Sequence, residues 1–273
     1  MKITDMDKSD NPKKIAISFK WIGAATWILN VDGLKIACDP VLCPKGTVQQ
    51  YGFGATGERR VAPMFTIEDF KDVDLWLITH DHEDHLDVRG LAAMDPDATI
   101  ISNGKALKTL KQIYPQKLQV LKWHQTASLH VKGLAVEIEA IPTVHASNFL
   151  VAGYLSGGNG YWLTIRKNTT STSIYVTGDT VPHRTVLTAL KNRKADILIP
   201  NMGAVNKGHF GGPLTLSAAG LKMIISATNP EIIIPVHFGT FSHFVEPIAE
   251  LAGWNDPRIK ILKEGECSIF HQP

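Results

Sequence analysis

Residues 79–87, THDHEDHLD, constrain this chain more than any other segment, because they hold three of its eleven histidines. They follow DLWLI at residues 74–78, an apolar run typical of a buried strand. Burying imidazoles and carboxylates at the end of such a strand costs free energy unless an ion compensates. The pattern therefore favours a metal-binding edge of a sheet over a solvated polar loop.

The spacing within H-x-H-x-D-H predicts ligands for two ions. Residues i and i+2 of an extended segment point the same way, so His80 and His82 can present their imidazoles to one ion. Asp84 and His85 follow on the turn beyond the strand. We predict that they serve a second ion nearby.

Three further polar residues stand at the ends of apolar, strand-like runs. His145 follows LAVEIEAIPTV, Asp179 ends SIYVTGD and His237 ends EIIIPVH. Each residue alone is equally typical of a capping aspartate or a hydrogen-bonded core histidine. Together with residues 80–85, they predict a shared active-site edge that completes both metal sites.

Composition is that of an ordinary globular protein and argues against several function classes. The chain has 273 residues and a formal net charge of +2 without a Lys/Arg block, so no nucleic-acid partner is expected. The polar N-terminus lacks a secretory signal, and no apolar run approaches the roughly 20 residues of a membrane span. Three cysteines without a CxxC pair fit reduced thiols. We therefore expect a cytoplasmic protein.

Turn signals and apolar runs predict one α/β domain with two sheets over residues 15–273, after a flexible tail at residues 1–14. Asp32-Gly33 predicts a tight hairpin. The glycine-rich residues 43–65 predict a long surface excursion. Residues 157–160, GGNG, predict the tip of a second hairpin, whose arms are FLVAGYL and YWLTIRK.

The order H-x-H-x-D-H, then His145, then Asp179 in TGDT, then His237 resembles the metallo-β-lactamase superfamily over nearly the whole chain. WIGAATWIL, CDPVL and PVHFGTF resemble one branch, which includes ascorbate phosphate lactonases and the phospholipase D that hydrolyses N-acyl-phosphatidylethanolamine. This branch commonly has a histidine where the chain has Ala24. The resemblance implies an αββα sandwich, in which two mixed β-sheets are flanked by helices.

The same resemblance assigns the metal ligands. It implies two divalent ions, zinc or manganese or alternatively iron, since histidine and carboxylate ligands suit all three. One ion is held by His80, His82 and His145, the other by Asp84, His85 and His237, and Asp179 bridges them.

A chemical mechanism follows from this ligand set. Two cations about 3.5–4 Å apart lower the pKa of a shared water, and the bridging hydroxide attacks a carbonyl or phosphoryl group. Asp84 is also a candidate catalytic residue. His209, in the glycine-rich NKGHFGGP, is a candidate for orienting substrate or stabilising an oxyanion, although a purely structural role explains it equally well. The G-x-S-x-G elbow of serine hydrolases is absent.

Two other histidines receive structural interpretations. His183 follows GDTVP and is interpreted as the first residue of a helix, while His243 carries no signal beyond composition. Loops at residues 43–65, 157–160 and 203–214 are expected to shape the substrate pocket.

The sequence thus predicts a metal-dependent hydrolase of a small ester, lactone or phosphodiester. A true β-lactamase is disfavoured, because it would carry cysteine at position 179, and a flavodiiron oxidoreductase would carry glutamate at position 82. A nuclease and a non-catalytic metal-binding scaffold stay open as alternatives, and so does a homo-oligomeric state.

Overall fold

The computed structural model describes residues 16–51, 54–114, 116–155, 157–205 and 211–271. The predicted tail at residues 1–14 and the candidate catalytic residue His209 lie outside these ranges. Within the described ranges the chain forms two large sheets, a two-stranded ribbon and seven short helices.

The first sheet has seven strands, antiparallel in one half and parallel in the other. In spatial order they are β15 (Cys267–His271), β1 (Ala16–Gly23), β2 (Thr26–Val31), β3 (Leu34–Cys38), β6 (Leu75–Leu77), β7 (Thr99–Ser102) and β8 (Leu118–Val120). The strands from β15 to β3 pair antiparallel, whereas those from β3 to β8 pair parallel. The parallel half brings the C-terminal ends of β3 and β6 side by side.

The second sheet has six strands and is also mixed. In spatial order they are β14 (Ile232–Ile233), β13 (Ile197–Ile199), β12 (Thr170–Val176), β11 (Asn159–Lys167), β10 (Leu134–Pro142) and β9 (Thr126–Val131). β12, β13 and β14 pair parallel, and the remaining neighbours pair antiparallel.

The predicted excursion at residues 43–65 contains an antiparallel ribbon of β4 (Val48–Gln50) and β5 (Thr56–Glu58). The ribbon is tied to the loop after His237, because the Ser242 backbone N–H donates to the Glu58 carbonyl at 2.9 Å. It also reaches the THDHEDH segment, where the Gln49 side-chain amide donates to the Glu83 carbonyl. The excursion therefore packs against the candidate site.

The helices of the described chain are short. None of them is long and apolar enough to cross a bilayer. They are α1 (Ile67–Phe70), α2 (Val88–Ala93), α3 (Leu107–Ile113), α4 (Phe149–Leu155), α5 (Arg184–Ala189), α6 (Ala218–Thr228) and α7 (Ala249–Ala252).

Successive side chains along the strands of the first sheet belong alternately to two separate apolar layers. In β2, Trp27 and Leu29 join the core shared with the second sheet. Ile28, between them, joins a second cluster together with Phe70 of α1 and Leu110 of α3. Successive side chains of a strand point to opposite faces, so helices cover one face of this sheet and the second sheet covers the other.

The second sheet contributes to the same inter-sheet core and is itself covered by helices. Leu163 of β11 belongs to that core, and Val186 of α5 and Leu221 of α6 extend it. The predicted αββα sandwich of two mixed sheets is therefore confirmed.

The predicted hairpin at Asp32-Gly33 is confirmed. β2 and β3 pair antiparallel in register from Val31–Leu34 onward, so the loop contains two residues. Asp32 has φ of 51° and Gly33 has φ of 91°. Positive φ at both central residues is what two-residue hairpins with the native strand twist require.

The predicted hairpin around residues 157–160 is wrong. FLVAGYL forms helix α4, and only YWLTIRK lies in a strand, β11. β11 is already paired with β10 on one side and β12 on the other. A strand has only two hydrogen-bonding edges, so no position is left for FLVAGYL beside it.

Tyr161 of β11 links the two sheets, because its buried hydroxyl donates to the Ile78 carbonyl at 2.7 Å. Replacing Tyr161 with Phe leaves that carbonyl without this donor. Tyr161→Phe should therefore lower the free energy of unfolding by about 1–2 kcal/mol, as measured by urea denaturation.

Tyr175→Phe is the matched control in the neighbouring strand. The Tyr175 hydroxyl is buried and has no hydrogen-bond partner among the described residues. Its removal should leave the free energy of unfolding unchanged or slightly higher. Equal losses in the two variants would contradict a specific role for the Tyr161 bond.

Candidate metal centre

The candidate centre lies where strand ends of both sheets meet. β3 and β6 are parallel neighbours, so Asp39 and His80 follow adjacent strand ends. In the second sheet β12, β13 and β14 run parallel, which places Asp179, Asn201 and His237 beyond one common edge. Polar groups at such C-terminal edges are well placed to form a site.

The structure brings all seven predicted ligands together. Their nitrogen and oxygen atoms form three overlapping groups, and within each group the atoms lie within 4.8 Å of one another. Every member is buried except His82, which is partly exposed. The first group is His80 with His82 and His145, the second is His80 with His85 and Asp179, and the third is Asp84 with His85 and His237.

The distances between neighbouring atoms of the seven residues match those between ligands of one cation. His80 Nε2 lies 3.0 Å from His82 Nδ1, and His145 Nε2 lies 3.3 Å from Asp179 Oδ2. His85 Nε2 lies 3.1 Å from His237 Nε2. Tetrahedral zinc with bonds of about 2.0–2.1 Å would separate neighbouring ligand atoms by about 3.3 Å.

In three histidines, the ring nitrogen that points away from the centre lies next to a hydrogen-bond acceptor. This contact fixes the orientation of the ring, and so the direction of its other nitrogen. An acceptor pairs with an N–H, so Nδ1 carries a hydrogen in each ring. In the neutral form of the ring, Nε2 then directs its lone pair toward the centre. The pairs are His85 Nδ1 with Asp39 Oδ2 at 2.7 Å, His145 Nδ1 with the Leu214 carbonyl at 2.8 Å, and His237 Nδ1 with the Met202 carbonyl at 3.2 Å.

This arrangement leaves two lone pairs opposed. In the neutral rings, His85 Nε2 and His237 Nε2 would face each other at 3.1 Å with no proton between them. A cation between the two nitrogens would convert this repulsion into two bonds. The residues present therefore fit a bound metal ion.

Asp179 lies between the two sets of imidazoles. Its Oδ2 is 3.3 Å from His145 Nε2 and 3.9 Å from His80 Nε2. Its Oδ1 is 3.2 Å from His85 Nε2 and 3.8 Å from His237 Nε2. One carboxylate oxygen thus faces each set.

Burial lowers the pKa of three of the histidines and keeps their rings neutral, as metal ligation requires. The pKa of His82 falls to about 3, and those of His80 and His145 also fall below the ordinary value. His85 differs, because Asp179 and Asp39 outweigh the effect of burial and raise its pKa. A proton and a metal ion therefore compete for His85.

The two carboxyl groups among the predicted ligands, Asp84 and Asp179, are held ionised. Burial acts to raise their pKa values, but the neighbouring imidazoles outweigh it. The nearby imidazoles of His237 and His243 hold the pKa of Asp84 well below its usual range, and those of His237 and His85 do the same for Asp179. Asn201 adds a hydrogen bond to Asp179 Oδ1 at 2.9 Å.

Two residues of the centre have backbone conformations that are rare for non-glycine residues. His237 has φ of 62° and Asp39 has φ of 40°. Such left-handed conformations cost about 1–3 kcal/mol and persist where the surroundings fix them. The His237 backbone N–H donates to the Ala24 carbonyl at 2.9 Å, which helps to hold it.

Asp39 is a part of the centre that the sequence did not indicate. Its Oδ1 accepts from the Thr79 N–H at 2.7 Å, and its Oδ2 accepts from the Thr79 hydroxyl at 2.5 Å and from His85. It thereby ties the end of β3 to the start of the THDHEDH segment. Its position directly after the strand-like LKIAC was the available signal.

Three of the other histidines bear on the centre or on its prediction. His183 is exposed and caps α5 by accepting from the Thr185 N–H, as interpreted from the sequence. His209 lies outside the described residues, so its predicted role stays a prediction. His243 was set aside on sequence grounds, but its Nε2 lies 2.9 Å from Asp84 Oδ2.

Known proteins share this fold and, at low identity, this sequence. A metal-dependent hydrolase from Hyperthermus butylicus is 25% identical over 260 residues, which cover 92% of this chain and 98% of the relative. An N-acyl-phosphatidylethanolamine-hydrolysing phospholipase D from Caenorhabditis elegans is 24% identical over 59% of this chain and 46% of its own length.

Solved structures agree with this relationship at the level of the fold. The isothiocyanate hydrolase from Delia radicum gut bacteria superimposes with a TM-score of 0.76 and 24% identity, covering 93% of this chain and 99% of that protein. The Beta-lactamase superfamily domain matches residues 18–237. The motif resemblance to this superfamily is thereby confirmed. Since the superfamily domain matches most of the chain, the chain belongs to the β-lactamase superfamily.

Proposed function

We propose that this metal-dependent hydrolase binds two divalent cations and uses them to cleave a small ester, lactone or phosphodiester. The observation that carries the proposal is the position of Asp179, whose two oxygens face two separate sets of imidazoles. Relatives named as metal-dependent hydrolases, which match at least 90% of this chain, support the reaction class.

The proposed ligand sets follow the interatomic distances. The donor set contains imidazole and carboxylate groups without thiolate, which suits zinc or manganese, or alternatively iron. One cation would be held by His80, His82 and His145, the other by Asp84, His85 and His237, and Asp179 would bridge them.

When bound, two cations would supply an activated water and would polarise the oxygen of the group under attack. The chain's own contribution is to hold neutral imidazoles and ionised carboxylates in one geometry, and Asn201 and Asp39 support that geometry. A cysteine nucleophile is disfavoured. Burial raises the pKa of the Cys43 thiol, so that it stays protonated.

Buried apolar side chains pack against the centre. The Phe244 ring lies 4.1 Å from the His237 ring and belongs to a buried apolar cluster with Val205 and Leu214. Leu155 of α4 packs on this cluster and lines a narrow cavity together with His80, His145 and Asp179. Because the sequence has no Lys/Arg block, we favour a small substrate over a polyanionic nucleic acid.

Metal removal tests the proposal directly. Purified protein should carry about two transition-metal equivalents per chain and should hydrolyse generic esters, lactones or phosphodiesters. A chelator should abolish that activity, and zinc or manganese should restore it. Elemental analysis and rate measurements provide both readouts. Two bound metals without turnover on any substrate would favour a scaffold, and cleavage confined to nucleic acid would favour a nuclease.

Asp179→Ala should be the most damaging single change in the centre. It removes the only described carboxylate positioned between the two sets of imidazoles, so metal content should fall to one equivalent or less. The rate should fall by more than the roughly 10- to 100-fold typical of a residue that only supports a ligand. Asp81→Ala is the matched control, because Asp81 lies in the same segment but is exposed. Two retained metals and a normal rate in Asp179→Ala would exclude the bridging role.

Asp39→Ala should affect stability and metal binding together. It removes the buried partner of His85 and two acceptor contacts to Thr79, so the free energy of unfolding should fall by roughly 3–5 kcal/mol. Metal affinity should fall about 10- to 100-fold, because the His85 ring loses its orientation. Calorimetry and zinc titration measure the two effects. The exposed Asp97→Ala serves as the control, and an Asp39→Ala protein that matched it in both properties would contradict this role.

A further inference from the structure

His243 lies directly against the predicted ligand Asp84. Its Nε2 is 2.9 Å from Asp84 Oδ2, and the same oxygen lies 3.5 Å from His237 Nε2. A carboxylate only accepts hydrogen bonds, so His243 Nε2 carries an N–H and donates a hydrogen bond to Asp84. Asp84 Oδ2 thus has a candidate ligand on one side and a hydrogen-bond donor on the other.

The ring of His243 is fixed by its neighbours. Tyr51 contacts it edge-on with ring centroids 5.1 Å apart, and the Phe244 and Phe241 rings lie at 4.6 and 5.4 Å. Its second nitrogen, Nδ1, is buried and has no hydrogen-bond partner among the described residues. A phenyl ring would serve packing without this unsatisfied nitrogen. The bond to Asp84 is therefore the contact that an imidazole specifically provides.

Gly57 of β5 provides the space for this ring. A Cβ atom at position 57 would lie 2.1 Å from His243 Nδ1 and 2.5 Å from its Cε1. Gly57 does not have positive φ, so its backbone conformation does not require glycine. Glycine is instead required at position 57 because the His243 ring fills the space that a side chain would take. The β4–β5 ribbon thereby helps to hold the imidazole against Asp84.

We propose that His243 is a positioning residue that orients the Asp84 carboxylate and thereby sets the affinity of the cation that Asp84, His85 and His237 would hold. This inference rests on the proposed function. Hydrogen bonds that support a metal ligand typically contribute 10- to 100-fold to metal affinity. His243 acts on one of the two cations only, because its contact is to Asp84 and not to His80, His82 or His145.

The test is a zinc titration of metal-stripped protein in competition with a chromophoric chelator. His243→Ala should weaken one of the two zinc sites by about 10- to 100-fold and leave the other unchanged. In His243→Gln the side-chain amide can donate to Asp84, so this variant should recover most of the lost affinity. His130→Ala, in β9 and exposed, should change neither site.

Gly57→Ala separates positioning from general stability. The added methyl should displace the imidazole and weaken the same site, but it should have little further effect in the His243→Ala background. Such coupling at one site is not produced by a general loss of stability. If circular dichroism shows that His243→Ala does not fold, the zinc affinities of Gly57→Ala and His243→Gln test the proposal instead.

Two outcomes are decisive. Wild-type affinity at both sites in His243→Ala, or in Gly57→Ala when the former does not fold, overturns the inference and leaves the proposed function intact. Fewer than two zinc ions in the wild-type protein overturn the proposed function and this inference with it.

Discussion

The concentration of buried carboxylates within a network of imidazoles is the constraint on which the rest of the structure depends. Asp39, Asp84 and Asp179 are almost completely buried and lie within one network of histidines. Burial of this much negative charge costs free energy unless positive charge or hydrogen bonds offset it. Cations at the inward-facing nitrogens would supply that charge, and the surrounding scaffold keeps those nitrogens in place.

The scaffold does so by combining strand ends from both sheets. The first sheet contributes Asp39 and the THDHEDH segment from parallel neighbours, and the second contributes Asp179 and His237. Neither sheet holds a complete set of ligands. The inter-sheet core and the Tyr161 hydrogen bond therefore have a functional consequence, because a shift between the sheets would separate Asp179 from His85. Preorganisation of the centre is thus a property of the whole sandwich.

Local patterns taken together indicated the seven candidate ligands, and the family resemblance assigned their roles. A polar residue that directly follows an apolar strand-like run can be recognised without knowledge of the fold, as for His145 and Asp179. The structure places these residues together, while their roles as ligands stay predictions. Sequence analysis missed His243, because it reaches Asp84 from an irregular loop that has no periodicity.

Helix α4 shows where local signals fail. The signal for a turn at residues 157–160 is supported only at Gly157, which has φ of 124°, because Asn159 and Gly160 already belong to β11. What precedes that turn depends on the pairing of β11 with β10 and β12, which is a tertiary property. Asp39 was overlooked for a related reason. Its contacts to Thr79 and His85 join segments about 40 residues apart, and neither segment alone indicates the other.

Anomalous diffraction from metal-loaded crystals, collected at the absorption edge of the bound metal, tests the central claim most directly. The account predicts two peaks about 3.5–4 Å apart, one beside Asp179 Oδ2 with His80, His82 and His145, and the other beside Oδ1 with Asp84, His85 and His237. A single peak, or two peaks that do not share Asp179, would contradict it.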